Sequence, residues 1–125
     1  MRKLLLAGFV SFLFTACNGQ ETAHYKVLAA DQYEQVVTDQ DVQIVDVRTA
    51  EEFAEGHLKG AKNFNIQNED FELMTQDLDK EKPVYIYCRS GMRSAKAGKA
   101  LEEMGFKEIY DLKGGILAWK GTLEE

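Results

Sequence analysis

The sequence has few of the residues that usually bind metals, form disulfides or interrupt regular structure. Its 125 residues include two cysteines, two histidines and one proline. His24, His57 and Cys88 do not have the spacing of a metal site, so we expect neither zinc nor another metal, and no cofactor. The length and the single proline suit one compact domain and leave no room for a second.

The sequence also lacks an apolar run that would span a bilayer comfortably. Residues 4–14 are largely apolar, follow the basic pair Arg2 and Lys3, and precede small residues. A membrane-spanning helix needs about 20 apolar residues, whereas a basic start and a short apolar stretch before small residues are typical of a secretory signal peptide. We therefore expect residues 1–16 to be a signal peptide.

The end of this leader resembles the lipobox of bacterial lipoproteins. Phe14 stands where leucine is usual, and the segment reads Leu13-Phe14-Thr15-Ala16-Cys17. The resemblance implies that Cys17 is acylated and becomes the first residue of the mature protein, which is then lipid-anchored in the bacterial cell envelope, outside the cytoplasm. Residues 17–24 would form the lipidated cysteine and a short polar tether. The alternative is an ordinary signal peptide that leaves Cys17 free.

Acidic residues outnumber basic ones, 21 to 15, which gives a formal charge of −6. Cleavage before Cys17 removes two basic residues and no acid, so 13 basic and 21 acidic residues remain and the charge becomes −8. An acidic surface disfavours nucleic acid and charge-driven docking on anionic lipid. We expect the membrane link to be covalent and expect no nucleic-acid partner.

A lipidated Cys17 leaves Cys88 as the one thiol of the mature chain, because the sequence has two cysteines. No intramolecular disulfide can then form. An exported protein that keeps an unpaired cysteine usually keeps it for chemistry, since its compartment oxidises an idle exposed thiol. The cysteine content therefore makes Cys88 a candidate for a chemical role.

Apolar runs rich in β-branched residues alternate with segments of helical spacing. The runs predict strands at 25–28, 42–47, 63–66, 84–87 and 109–112, and helices follow them, including one opened by a capping box at Thr49 and Glu52. This alternation predicts a single α/β domain over residues 25–125, with a mainly parallel five-stranded sheet and helices on both faces. Ligand sites in such domains lie at the carboxyl ends of the strands.

One six-residue loop joins the most apolar strand to a helix start, and it reads Cys88-Arg89-Ser90-Gly91-Met92-Arg93. Backbone N–H groups of such a turn, with the partial positive charge of the following helix, converge on one point. Arg89 and Arg93 add two permanent cations. These surroundings favour the thiolate form of a cysteine, so Cys88 is predicted to be a nucleophile. The alternative is a buried structural cysteine, which has no use for two arginines.

With these residues in view, the sequence resembles the single-domain rhodanese-like sulfurtransferases from about residue 25 to residue 121. The resemblance rests on Asp46-Val47-Arg48, Glu51-Glu52-Phe53, Gly56-His57-Leu58, Gly60-Ala61, the loop from Cys88 to Ser94, Gly114-Gly115 and Ala118-Trp119. In this family the loop cysteine takes a sulfane sulfur from a donor, becomes a persulfide and passes the sulfur to an acceptor. The resemblance implies that Cys88 is catalytic and that the substrate is bound by Arg89, Ser90, Gly91, Met92 and Arg93.

The same resemblance implies the partners and the supporting residues. The donor would be thiosulfate or a related small sulfur-containing anion, and the acceptor a small thiol, cyanide or a protein thiol. Asp46, Arg48 and Ser94 would support the active site, with Asp46 and Arg48 forming a buried pair. We expect His57 to bond backbone at a helix end, because a thiolate that is already formed needs no general base.

Three other functions fit part of the pattern. Cysteine-dependent phosphatases and arsenate reductases carry a related anion loop, but with five residues between cysteine and arginine where this sequence has four. A persulfide carrier that serves one protein partner would use the same residues. A catalytically silent, membrane-tethered binding module is the third possibility, although such modules often lose the cysteine that this sequence retains.

Overall fold

The computed structural model describes residues 22–125. The predicted signal peptide, the lipidation site Cys17 and the tether up to residue 21 lie outside this range. His24, at the end of the predicted tether, is hydrogen bonded to the domain, because its carbonyl accepts the N–H of Ile109 at 2.7 Å. Within the described range, no helix is long and apolar enough to cross a bilayer.

Five strands form one sheet in the order β1-β5-β4-β2-β3. They are β1 (Tyr25–Leu28), β2 (Gln43–Asp46), β3 (Ala61–Asn63), β4 (Val84–Tyr87) and β5 (Ile109–Leu112). All four strand pairings are parallel, which confirms the predicted α/β sheet. Every residue of β4 is buried, as expected for a central strand of a parallel sheet covered on both faces.

Helices cover both faces of the sheet, as predicted. They are α1 (Ala30–Asp39), α2 (Ala50–Glu55), α3 (Phe71–Met74) and α4 (Met92–Glu103), with 3₁₀ turns at Thr75–Asp77 and Gly115–Ala118. Side chains of β4 point alternately to the two faces. Val84 and Ile86 join the core beneath α3 and α4, whereas Tyr85 and Tyr87 pack in a second core with Tyr33 of α1.

The bounds of two predicted strands differ from the structure. The strand predicted at 42–47 is one residue shorter at each end, at Gln43–Asp46. The strand predicted at 63–66 lies at Ala61–Asn63, where the chain pairs with β2. Phe64 and Ile66 are apolar because they pack against the α4-side core, although their N–H groups still bond Asp46 and Val47 carbonyls at 2.9 and 3.1 Å. Helix α4 begins at Met92, which is 84% exposed, so the last two residues of the 88–93 loop are also the first two of the helix.

The ends of the helices follow local sequence rules. The Thr49 hydroxyl accepts the N–H of Glu52 at 3.2 Å, which confirms the predicted cap of α2. Helix α4 ends at Glu103, and Gly105 follows its cap residue Met104 with a φ of +96°, in the left-handed region that glycine tolerates. The N–H of Phe106 then bonds the carbonyl of Leu101 at 3.1 Å and closes the helix end.

Candidate active site

The 88–93 loop lies at the carboxyl end of β4 and is held by the 3₁₀ turn that follows β5. The carbonyl of Cys88 accepts the N–H of Ile116 at 2.9 Å, and the carbonyl of Arg89 accepts that of Leu117 at 3.2 Å. Gly115 allows this contact, because a Cβ there would lie 2.3 Å from the Arg89 carbonyl oxygen. The turn therefore fixes the backbone on which the cysteine is carried.

The sulfur of Cys88 lies among hydrogen-bonding groups at the start of α4. The N–H of Gly91 donates to Sγ at 3.0 Å, and the Ser94 hydroxyl lies 3.3 Å from the same atom. Gly91 has a φ of +117°, which folds the loop back over the sulfur. Cys88 is 1% exposed. A backbone N–H donor aimed at a sulfur beside a helix start is suited to a thiolate.

The two loop arginines have different surroundings. The guanidinium of Arg93 donates to both carboxylate oxygens of Glu52, at 2.6 and 2.9 Å, and both side chains are half-buried. These bonds lower the pKa of Glu52 to about 2 and raise the pKa of Arg93. Arg89 is exposed and makes no ion pair within residues 22–125. Arg93 is therefore neutralised, and Arg89 is free to meet an anion.

Asp46 and Arg48 form the predicted buried pair. Nη2 of Arg48 lies 2.6 Å from the Asp46 carboxylate and donates to the carbonyl of Gly56 at 2.7 Å. Asp46 is fully buried and Arg48 is 5% exposed. The guanidinium also lies over the ring of Tyr87, at 5.7 Å from its centroid. The pair ties the end of β2 to the end of α2.

His57 bonds backbone at the end of α2, as predicted. Its Nδ1 lies 2.9 Å from the carbonyl oxygen of Phe53, and its ring stacks on that of Phe53 at 3.7 Å between centroids. Both interactions fix the imidazole on α2, so His57 supports the local backbone. Within the described part of the chain, no group of three or more His, Cys, Asp and Glu side chains could hold a metal ion.

A model of the rhodanese-like domain matches residues 29–122 of the sequence. The chain belongs to the rhodanese-like domain family. Two bacterial relatives and one solved structure show how far the similarity of this rhodanese-like domain extends.

The chain is 37% identical over 95 residues to the thiosulfate sulfurtransferase GlpE of Shewanella oneidensis, covering 76% of this chain and 92% of that protein. It is 38% identical over 82 residues to the uncharacterized protein YqhL of Bacillus subtilis, of which it spans 64%, with 66% of this chain covered. A rhodanese-like domain protein from Staphylococcus aureus superposes with a TM-score of 0.70 at 34% identity, covering 79% of this chain and 96% of that one. The similarity confirms the predicted single rhodanese-like α/β domain.

The fold of this rhodanese-like domain brings most of the sequence-predicted site residues together. Gly91 and Ser94 contact the sulfur of Cys88 directly. Ser90 is exposed, and Met92 is 84% exposed at the rim of the loop. The Asp46–Arg48 pair is part of the buried scaffold, and its contacts include β3, β4 and the end of α2.

Sequence reasoning missed three residues near the loop of the rhodanese-like domain. Glu52 is predicted from the sequence to lie in a helix cap and a family motif, with no contact to the loop, yet its carboxylate binds Arg93. Tyr25 and Asp111 had been assigned only to strands, yet the Tyr25 hydroxyl donates to Asp111 at 2.5 Å. Asp111 is an acid within an otherwise buried strand, and that anomaly was the one available signal of its role.

Proposed function

We propose that this rhodanese-like domain is a sulfurtransferase that moves a sulfane sulfur from thiosulfate or a related donor to a thiophilic acceptor through a persulfide on Cys88. The observation that carries the proposal is the buried sulfur of Cys88, which accepts the N–H of Gly91 at 3.0 Å at the start of α4. The name of the relative from Shewanella oneidensis supports the donor class.

In the first half-reaction, the thiolate of Cys88 attacks the outer sulfur of thiosulfate. A sulfur–sulfur bond forms at Cys88, the sulfur–sulfur bond of the donor breaks, and sulfite leaves with the electron pair. The donor must reach a sulfur that is 1% exposed.

Arg89 is the residue that we infer to bind the sulfonate of the donor. Its side chain is exposed and makes no ion pair within the described residues, whereas Arg93 is bound to Glu52. A guanidinium binds an oxyanion through charge-assisted hydrogen bonds. Arg93 contributes instead by fixing the first turn of α4, whose N–H groups face the loop.

In the second half-reaction, an acceptor attacks the outer sulfur of the persulfide. A thiolate acceptor leaves as a persulfide and cyanide leaves as thiocyanate, and in both cases the electron pair of the broken bond returns to Cys88. Cys88 is the one cysteine among residues 22–125, so no second thiol of the described domain can resolve the persulfide. The acceptor is therefore an external small thiol, cyanide or a protein thiol.

We also propose that the domain is attached to the bacterial cell envelope through lipid on Cys17. The support is the sequence pattern alone, a basic start and a short apolar stretch before Thr15-Ala16-Cys17. Two acyl signals or more give stable anchoring. Metabolic labelling with a palmitate analogue tests this, since the native protein would be labelled and a Cys17→Ala variant would not.

Steady-state transfer from thiosulfate to cyanide, followed as thiocyanate, tests the proposed activity. The native protein is expected to turn over, Cys88→Ser to be inactive, and Arg89→Gln to show a KM for thiosulfate on the order of tenfold higher. Lys96→Gln, an exposed cation further along α4, is the matched control and should leave KM unchanged. Absence of turnover with thiosulfate, polysulfide and mercaptopyruvate would leave the binding module as the better account.

A further inference from the structure

Two exposed apolar side chains lie beside the 88–93 loop, and neither half-reaction uses them. Met92, at the rim of the loop, is 84% exposed, and Leu117, in the 3₁₀ turn that holds the loop, is 66% exposed. Within residues 22–125, the other exposed large apolar side chains are Leu73 and Leu123. Single apolar side chains are ordinary on a protein surface, whereas an apolar pair beside an active site is a feature of surfaces that bind partners.

Two exposed cations, Arg89 and Lys113, lie beside the same loop. Lys113 follows β5 and lines a cavity of about 240 Å³ together with Met92. Neither cation makes an ion pair among the residues that the structure describes. Asp111, the acid that lines the same cavity, is 2% exposed. The exposed charge at this place is therefore positive, although the whole chain has a formal charge of −6.

Hydrogen bonds hold the backbone that carries these side chains. The N–H of Leu117 bonds the carbonyl of Arg89 at 3.2 Å, and the N–H of Lys113 bonds the carbonyl of Leu28 on β1 at 2.9 Å. Met92 is the first residue of α4. We call the four side chains of Arg89, Met92, Lys113 and Leu117 the loop face. A partner meets a backbone that is already ordered, which lowers the entropy cost of binding.

The composition of the loop face indicates the chemistry of its partner. A cyanide ion or a small thiol leaves most of the four side chains in water, and thiosulfate needs only the guanidinium of Arg89. A protein surface is large enough to cover all four. Its apolar side chains would bury Met92 and Leu117, and its acidic side chains would pair with the two cations. The loop face therefore fits an acidic protein surface that also carries apolar side chains.

The position of β1 argues against a membrane as the partner. The strands are parallel, so β1 begins at the edge of the sheet opposite to the edge where Cys88 follows β4. Thr22, at the start of the described range, donates a hydrogen bond to Glu102, which lies roughly 15 Å along α4 from Met92. The lipid that we propose on Cys17 would therefore join the domain on the side away from the loop face.

We propose that the loop face binds a protein whose reactive thiol is flanked by acidic and apolar side chains, and that this protein is the sulfur acceptor. The partner's thiolate attacks the outer sulfur of the Cys88 persulfide, and a sulfur–sulfur bond forms on the partner. The bond between Cys88 and that sulfur breaks, and its electron pair returns to Cys88 as a thiolate. The partner fills the place of the acceptor in the proposed function, on which this inference rests.

Two cysteine peptides of matched sequence test the charge of the partner. Glu-Glu-Leu-Cys-Leu-Glu-Glu and Lys-Lys-Leu-Cys-Leu-Lys-Lys are offered to the thiosulfate-loaded protein, and intact mass follows the loss of one sulfur atom. Rates are expressed per thiolate, because the flanking charges change the pKa of the peptide cysteine. At low ionic strength the acidic peptide should react on the order of tenfold faster, and high salt should reduce this ratio. Equal rates, or a faster basic peptide, would overturn the proposal.

Variants of the loop face are compared with matched variants elsewhere. Lys113→Gln and Leu117→Ser should each lower the ratio of the acidic-peptide rate to the cyanide rate by roughly fivefold. Cyanide is the reference because it covers little of the face. Lys59→Gln and Leu73→Ser change an exposed cation and an exposed apolar side chain away from the loop, and should keep the native ratio. A native ratio in Lys113→Gln and Leu117→Ser, or an equal fall in all four variants, would overturn the proposal.

A titration followed by NMR tests the docking without sulfur chemistry. The acidic peptide, with serine in place of its cysteine, is added to nitrogen-15-labelled Cys88→Ser protein. The backbone amide signals of residues 89–92 and 113–117 are expected to shift most. Shifts confined to other residues, or no shifts at millimolar peptide, would overturn the proposal. A failure of the native protein to load sulfur from thiosulfate would contradict the proposed function, while this titration still decides the docking.

Two other occupants of the loop face are tested directly, and we expect neither. Sedimentation with phosphatidylglycerol vesicles uses Cys17→Ala protein, so that no acyl chain contributes. Vesicle binding that Lys113→Gln abolishes would assign the face to a membrane and overturn the proposal. Light scattering at increasing protein concentration measures self-association. Dimers that Leu117→Ser dissociates would assign the face to a second copy of the chain, with the same consequence.

Discussion

The carboxylate of Glu52 in α2 accepts two hydrogen bonds from the guanidinium of Arg93 in α4, at 2.6 and 2.9 Å. This pair ties together the first turns of two helices beside Cys88. It also cancels one of the two positive charges that the loop sequence carries. The field at the loop is therefore weaker than the sequence suggests, and Arg89 is its exposed cation.

Replacing Glu52 with glutamine removes a negative charge close to the anion-binding loop. We expect the KM for thiosulfate to fall by roughly threefold, because the donor is no longer repelled, and the effect to shrink in high salt. The free energy of unfolding should fall by no more than about 1 kcal/mol, since the pair is half-exposed. Initial rates at low and high ionic strength check this, with exposed Glu51→Gln as the control. An unchanged or higher KM would contradict the expected effect.

Asp111 makes stability depend on pH in a defined window. Burial raises its pKa from 3.8 to about 6, so the folded state holds this proton more tightly than the unfolded chain does. The contribution of this proton to the free energy of unfolding is fully present below pH 3.8 and is lost as the pH rises through about 6. Relative to the native protein, Asp111→Asn should gain about 3 kcal/mol in unfolding free energy between these limits. Urea unfolding at several pH values measures the difference, and a constant difference would refute it.

Gly115 is required where the 3₁₀ turn meets the loop. An alanine Cβ would lie 2.3 Å from the Arg89 carbonyl oxygen, and the φ of Gly115 is +64°. Gly115→Ala should therefore displace the loop, and the variant should no longer take up a sulfur atom from thiosulfate. Gly105→Ala is the matched control, because φ is +96° and no atom lies within 4 Å. That change should cost about 1 kcal/mol and leave loading intact. Equal effects of the two substitutions would show that close contact at Gly115 is unimportant.

Asp46 supports the site through Arg48, without contact to the sulfur. Asp46→Asn leaves the charge of Arg48 5% exposed and without its carboxylate, so unfolding free energy should fall by about 3 to 5 kcal/mol. Changing Arg48 to methionine as well should recover part of the loss. Thermal unfolding measures both, and sulfur loading per folded molecule should stay near the native value. A loading defect in fully folded Asp46→Asn would indicate a chemical role.

The sequence predicts three of the five strands well because their signals are local. The bounds of β1, β4 and β5 agree with the predicted 25–28, 84–87 and 109–112 to the residue. The boundary of β3 was wrong because Phe64 and Ile66 are apolar for packing and lie outside the paired strand. Periodicity reports burial, and burial continues past the end of the strand pairing.

The same distinction between local and long-range signals applies to the candidate site. Cys88 and its loop are contiguous in sequence, so their chemistry can be predicted from residue types and spacing. Glu52 and Arg93 are 41 residues apart, and Tyr25 and Asp111 are 86 apart. Only the strand order brings these partners together, and no local pattern encodes it. The sequence therefore predicts a candidate nucleophile in Cys88, but it overestimates the free charge around that residue.

Intact mass of the protein after incubation with thiosulfate, beside Cys88→Ser, tests the central claim most directly. The native protein should gain one sulfur atom and lose it again on addition of cyanide or a small thiol, while Cys88→Ser gains none. If the native protein gains no sulfur from thiosulfate, polysulfide or mercaptopyruvate, or if Cys88→Ser gains it equally, sulfur transfer through Cys88 is contradicted.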